Sequence, residues 1–195
     1  DARICGELLK RLYANQTKEG GWRYGQGFGV VGSDEDISAT QIVMLGLKSA
    51  SRMQLQVDLK IVKKAMEFVL KSQEKEGPKV ERAGDAKPSE RGTYASLGED
   101  KARGWAYEKK SDKKDETTPS GSMTCAGITT LLIGKSILGK QIAKKETETI
   151  DQSIWDGFAW LLTKWTVSQN PESGRSHFYY LYGIERVATL GLYDK

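Results

Sequence analysis

The chain alternates between two kinds of apolar segment, and this alternation constrains the fold more than any other feature. Ile4, Leu8, Leu9 and Leu12 form a stripe at helical spacing, with Glu7, Lys10 and Arg11 on the opposite side. Ile61, Ala65, Phe68 and Val69 repeat the pattern against Lys60, Lys63, Lys64 and Glu67, and Ile154, Phe158, Leu161, Leu162 and Trp165 give a third case. Each reads as an amphipathic helix with one buried face. Between and after them lie segments that are apolar almost all round: Ile37 to Ala50, Met123 to Leu138 and Phe178 to Leu190. A helix of that kind is enclosed on nearly all sides. The order amphipathic, buried, three times over, predicts an all-α fold of three outer–inner helical hairpins. Strands are not expected there, because the runs are long and lack period-2 alternation.

Local text recurs along the same lines. The first amphipathic segment runs into QTKEGGWRY, Gln16 to Tyr24; the second runs into QEKEG, Gln73 to Gly77, followed later by GWAY, Gly104 to Tyr107. Trp22 and Trp105 are 83 residues apart, and the starts Ser38-Ala39-Thr40 and Ser122-Met123-Thr124 are 84 apart. Two landmarks with almost one period indicate an internal repeat. The third copy is degenerate, keeping Gln169 and Gly174 without a following Trp. Residues 75–120 form a charged insert with few apolar residues outside Tyr94, Leu97 and GWAY, and read as a long surface loop within a single domain spanning residues 1–195.

Composition narrows the function classes. The chain has 195 residues, 38% hydrophobic and 29% charged, the balance of a soluble globular domain. No 18-residue apolar run is present to serve as a membrane span. Thirty basic residues face 26 acidic ones, so the net charge of +4 reflects mixed charge, and nucleic acid is not an expected partner. The runs Lys109–Lys110 and Lys113–Lys114 are broken by Asp112 and Asp115 and read as a solvated loop. Cys5 and Cys125 are far apart, and with a single histidine, His177, no metal site is expected. His177 reads as a flank or cap of the last helix. The chain opens on Asp1, as an excised or processed piece of a longer protein would. Nothing chooses between cytoplasm and periplasm.

Gln16, Gly20 and Trp22 fit the Gln-x-x-x-Gly-x-Trp repeat of squalene cyclases. With the split second copy at Gln73, Gly77 and Trp105, the matching Ser-x-Thr starts and the helix alternation, the whole chain resembles the α/α-toroid superfamily of squalene cyclases and prenyltransferases. The last segment, HFYYLYGIERVATLGLYDK, is similar to one found in large bacterial squalene-cyclase-like proteins of unassigned activity. The resemblance implies a partial or half toroid of three hairpins, since a full ring has six. Either its open edges would pair with another copy or with a protein partner, or the hairpins would close on themselves in a tighter arrangement. No cofactor is implied. The zinc site of protein prenyltransferases is not matched: Cys125 has no acidic neighbour, and Tyr180 stands where the ligand His would fall. The thioester motif of complement and macroglobulin domains is also absent.

Squalene–hopene cyclases carry Asp-x-Asp-Asp-Thr-Ala at the start of an inner helix, and the corresponding text here is Asp34-Glu35-Asp36-Ile37-Ser38-Ala39. By resemblance Asp36 would protonate an alkene, with Asp34 in the same motif; Ile37 replaces the third acid. Such a carboxyl must be held protonated by burial, and the resulting carbocation needs a dry cavity walled by aromatic faces. Trp22, Tyr24, Trp105, Tyr107, Tyr179, Tyr180 and Tyr182 are the candidates for that wall. The competing reading is that Asp36 caps a helix and that the aromatics are packed core. Two functions follow. One is a non-catalytic binding or scaffold module; the other is a terpenoid cyclase or isoprenoid-binding fragment with Asp36 as proton donor.

Overall fold

The computed structural model describes residues 2–23, 35–86, 94–108 and 117–192. Six helices run through them: α1 (Ala2–Ala14), α2 (Ile37–Arg52), α3 (Leu59–Ser72), α4 (Gly121–Leu138), α5 (Lys144–Thr163) and α6 (His177–Leu192). All three buried segments expected from the sequence are helices, within two residues of the expected ends. The starts of α2, α3 and α4 are set by side chains that satisfy orphan backbone N–H groups. Asp36 Oδ1 accepts from Ala39 N at 2.6 Å to open α2, Asp58 accepts from Lys60 N at 2.9 Å to open α3, and the Ser120 hydroxyl accepts from Met123 N to open α4. Gly139, at φ 52°, stops α4 in a backbone conformation that glycine adopts at no steric cost.

Helix α4 is the hub. It packs against α2, α3, α5 and α6, and only Lys135, Ser136 and Ile137 along its length escape full burial. Its length and hydropathy would suffice to cross a membrane, yet 83% of that window is buried inside the fold, the position of a core helix. Close packing is bought with small residues. A Cβ on Gly127 would stand 2.4 Å from the Trp105 ring, and one on Gly183 of α6 would stand 2.7 Å from Cys125 of α4. Helices α2, α3, α5 and α6 all pack against α4, and α1 packs against α2. The Tyr179 hydroxyl donates to Gln41 Oε1, tying the N-terminal ends of α6 and α2 together beside α4.

The two Trp landmarks make the same bonds. Trp22 N donates to the Thr40 hydroxyl at 3.1 Å, Asp36 N donates to Trp22 O at 3.2 Å, and the indole N–H reaches Leu12 O at 2.8 Å. Trp105 N donates to the Thr124 hydroxyl at 3.2 Å, Ser120 N to Trp105 O at 3.1 Å, and that indole reaches Val69 O at 2.8 Å. Gln16 Nε2 donates to Gly20 O and Ile61 O, while Gln73 Nε2 donates to Arg103 O and Ser153 O. Each Gln therefore links the end of one outer helix to the flank of the next. The place of Gly20 is taken in the second set by Arg103, whereas Gly77 packs against the Ala102 carbonyl.

Two expectations need correction. Residues 75–120 are not simply loop: β1 (Lys79–Ala86) and β2 (Tyr94–Lys101) pair antiparallel, with Lys79 opposite Lys101 and Val80 opposite Asp100, and with register shifts beyond Glu81. The strands escape an apolar-pattern reading because charged pairing and docking of β2 on α5 hold them. The charge run from Lys109 to Asp115 lies outside the described residues. Second, the outer stripes are only partly buried. Ala65, Phe68 and Val69 of α3 are buried as expected, as are Leu9, Ile154 and Leu161, but Ile4, Leu8, Leu162 and, beyond α5, Trp165 are exposed, with no helix packed over them among the described residues.

Candidate functional site

Two places concentrate chemistry, and they lie on different parts of the fold. The first is the N-terminal end of α2. Asp36 is fully buried. Its Oδ1 accepts from Ala39 N and from the Ser38 hydroxyl at 2.8 Å, and Oδ2 is sealed from solvent. Burial pushes the carboxyl above the ordinary carboxylate range, against the opposing pull of those bonds, of the Arg23 charge and of the Tyr107 hydroxyl. Arg23 itself is ion-paired with Glu108, which is 9% exposed. Ile37 N donates to Tyr107 O at 3.2 Å, so the second repeat's Trp-x-Tyr segment lies directly on the start of α2. Tyr24 and Asp34 lie outside the described residues.

Of the aromatic candidates, Trp22 and Tyr107 meet Asp36: Trp22 O accepts from Asp36 N, and the Tyr107 hydroxyl bonds the Asp36 carboxyl. Trp22 and Trp105 are sealed in the core with their indole N–H groups satisfied. Tyr180 is fully buried, its hydroxyl donating to Thr166 O at 2.9 Å, and burial raises its pKa. Tyr107 and Tyr179 are half-buried, and Tyr182 is exposed, stacked on Tyr179 at 6.4 Å with the Arg186 guanidinium 5.3 Å from its ring. His177 opens α6, and its Nδ1 is buried with no hydrogen-bond partner among the described residues.

The second place was not among the sequence candidates. A cavity of about 730 Å³ lies between α5, α6 and the C-terminal half of α4, with the β1–β2 pair at one side. Its apolar wall includes Leu132, Ile154, Phe158, Ala159, Leu162 and Val187. Its charged residues are Glu81, Arg82, Asp100, Lys135 and Asp151. Arg82 lies 4.3 Å over the Trp155 ring and grips Asp100 with two nitrogens, one of them Nε at 2.8 Å. Lys135 Nζ meets Asp151 at 2.7 Å. Behind the rim, Gln152 Nε2 bridges Asp100 and Asp156 at 2.9 and 2.8 Å, and Arg103 Nε holds Asp156 at 2.8 Å. Burial resists ionisation of Asp100, but the bonds from Arg82 and Gln152 outweigh it and hold that carboxyl below its usual range.

None of Asp36, Trp22, Trp105, Tyr107, Tyr179, Tyr180 or Tyr182 lines this cavity. A signal for it was present in α5. Ile150, Ile154 and Leu161 make one apolar stripe, and Trp155, Phe158 and Leu162 make a second at spacings of three and four. One core needs one stripe. Compared with known proteins, the chain matches no family model, no curated protein and no solved structure.

Proposed function

We propose that the chain is an α/α-repeat domain of the squalene-cyclase-like kind and that it works as a non-catalytic binding module. The matched bonds of Gln16 with Gln73, Trp22 with Trp105 and Thr40 with Thr124 support the repeat reading. The bond between Tyr179 and Gln41 favours a tight cluster of inner helices over an open half-ring. Exposed Ile42 on α2 and Phe178 on α6 mark edges of the inner set where a further repeat, another copy or a protein partner would pack.

The observation that carries the functional reading is the use made of Asp36. Its Oδ1 closes the first turn of α2, and the apolar volume on α5 and α6 lies among other residues. A proton donor to an alkene needs its carboxyl facing the space where the alkene sits. Incubation with squalene and shorter isoprenoids is expected to give no cyclic product. Product that disappears in Asp36→Asn would overturn the reading.

One observation favours the second reading, an isoprenoid cyclase with Asp36 as acid. The carboxyl is buried and held toward its protonated form. The same incubation decides between the two.

A further inference from the structure

The geometry points to the cavity between α5 and α6 as a binding site for an uncharged, hydrocarbon-rich small molecule. This inference rests on the binding-module reading and gives it a site and a ligand class.

Three features argue for it. A volume of about 730 Å³ falls in the range of small-molecule sites. The wall comes from α4, α5 and α6, and both α5 and α6 are packed against α4, which holds the two sides of the space apart. Trp155 and Leu162 are exposed here at 42% and 66%, an apolar area that water covers at a cost and that a hydrocarbon would relieve.

The charge pattern selects the ligand. Both cations of the lining are engaged, Arg82 with Asp100 and with the Trp155 face, and Lys135 with Asp151. An anionic headgroup would have to break one of these pairs, stranding a carboxylate that in Asp100 is 4% exposed. Exposed Glu81 adds negative charge, so two cations face three carboxylates around the cavity. A carboxylate or phosphate ligand is therefore disfavoured, and a neutral chain or ring system, carrying at most a hydroxyl, is preferred.

The test is a fluorescence titration of the whole chain with the neutral dye Nile red, followed by displacement with 1-dodecanol or dodecanoate near neutral pH. The two competitors share a chain and differ in headgroup charge. The alcohol is expected to displace the dye at a concentration about tenfold lower than the carboxylate, a difference of about 1.4 kcal/mol. Ala188→Trp, which fills the cavity from an exposed position on α6, is expected to weaken dye binding at least about fivefold. Leu162→Ser alters an exposed wall residue, removes apolar surface without entering the core, and should act in the same direction even if the Trp variant misfolds. Absence of dye binding, equal or better displacement by dodecanoate, or wild-type affinity in a folded Leu162→Ser variant would each overturn the site. Turnover that depends on Asp36 would overturn the module reading and leave this site standing.

Discussion

Gln73 and Ser153 hold each other reciprocally across two outer helices: Gln73 Nε2 donates to Ser153 O at 2.9 Å, and the Ser153 hydroxyl donates back to Gln73 Oε1 at 2.6 Å. Gln73 is 7% exposed and its bond to Ser153 O is buried, so loss of the amide leaves that carbonyl without water to replace it. Gln73→Ala is expected to destabilise the fold by about 2–3 kcal/mol. Gln16→Ala, at a half-buried site with the same two-carbonyl geometry, is expected to cost about 1 kcal/mol. Urea unfolding with an unchanged slope checks both. Equal costs would contradict the burial argument.

Trp105 and Gly127 supply a packing test. A methyl on Gly127 would lie 2.4 Å from a rigid, fully buried indole, and neither the helix nor the ring has room to yield. Gly127→Ala is expected to destabilise by about 1–3 kcal/mol through overpacking. Gly46, inside α2, has nothing within 4 Å of the added atom. Gly46→Ala is expected to stabilise by about 0.5–1 kcal/mol through helix propensity. Thermal melts of the two variants should move in opposite directions.

Asp36 and Asp100 should respond to pH in opposite senses. The folded pKa of Asp36 is raised, so its contribution is fully present below the unfolded value of about 4 and is lost as pH rises through the folded value. Asp36→Asn keeps an oxygen for Ala39 N and removes the cost of burying a charge. It is expected to be at least as stable as wild type at neutral pH, with the advantage vanishing in acid. Asp36→Ala loses the cap and should cost about 1 kcal/mol relative to Asn. Stability measured against pH checks this, and an Asn variant weaker than wild type at neutral pH would contradict it.

The folded pKa of Asp100 is lowered, so its contribution is present above the unfolded value of about 4 and is lost as pH falls through the folded value. Asp100→Asn should therefore flatten the acid limb of the stability curve. Arg82→Gln removes the guanidinium that joins Asp100 to the Trp155 face. It is expected to speed proteolytic cleavage within residues 79–101 before it measurably lowers the global melting temperature.

The helices were legible because their evidence is local. Met123 to Leu138 is apolar almost all round, and the structure surrounds α4 with four other helices, whereas Ile42, Gly46 and Ser49 leave one side of α2 exposed, so that helix is less enclosed than its composition implies. Gln16, Trp22, Gln73 and Trp105 were recognisable because one job recurs with one residue type. The β1–β2 pair was not legible. Its strands carry Lys79, Glu81, Arg82, Glu99 and Asp100, and what holds them is a long-range polar cluster reaching Gln152, Asp156 and Trp155. The cavity was missed for a related reason. Phe158 and Leu162 were read with the α5 core stripe, and Trp155 was passed over, although the spacing of the three places them on a second face. Asp36 was legible as a cap from its position before Ile37, and its complete burial depended on how the Trp105–Tyr107 segment folds over it.

The most direct measurement is the set of tryptophan indole N–H resonances, five in this chain, recorded during titration with 1-dodecanol. Trp155 borders the cavity, whereas Trp22 and Trp105 are sealed in the core with their N–H groups bonded to Leu12 O and Val69 O. The account expects the Trp155 signal to shift and saturate while those of Trp22 and Trp105 stay in place. A titration that moves Trp22 or Trp105 and leaves Trp155 unchanged would contradict it.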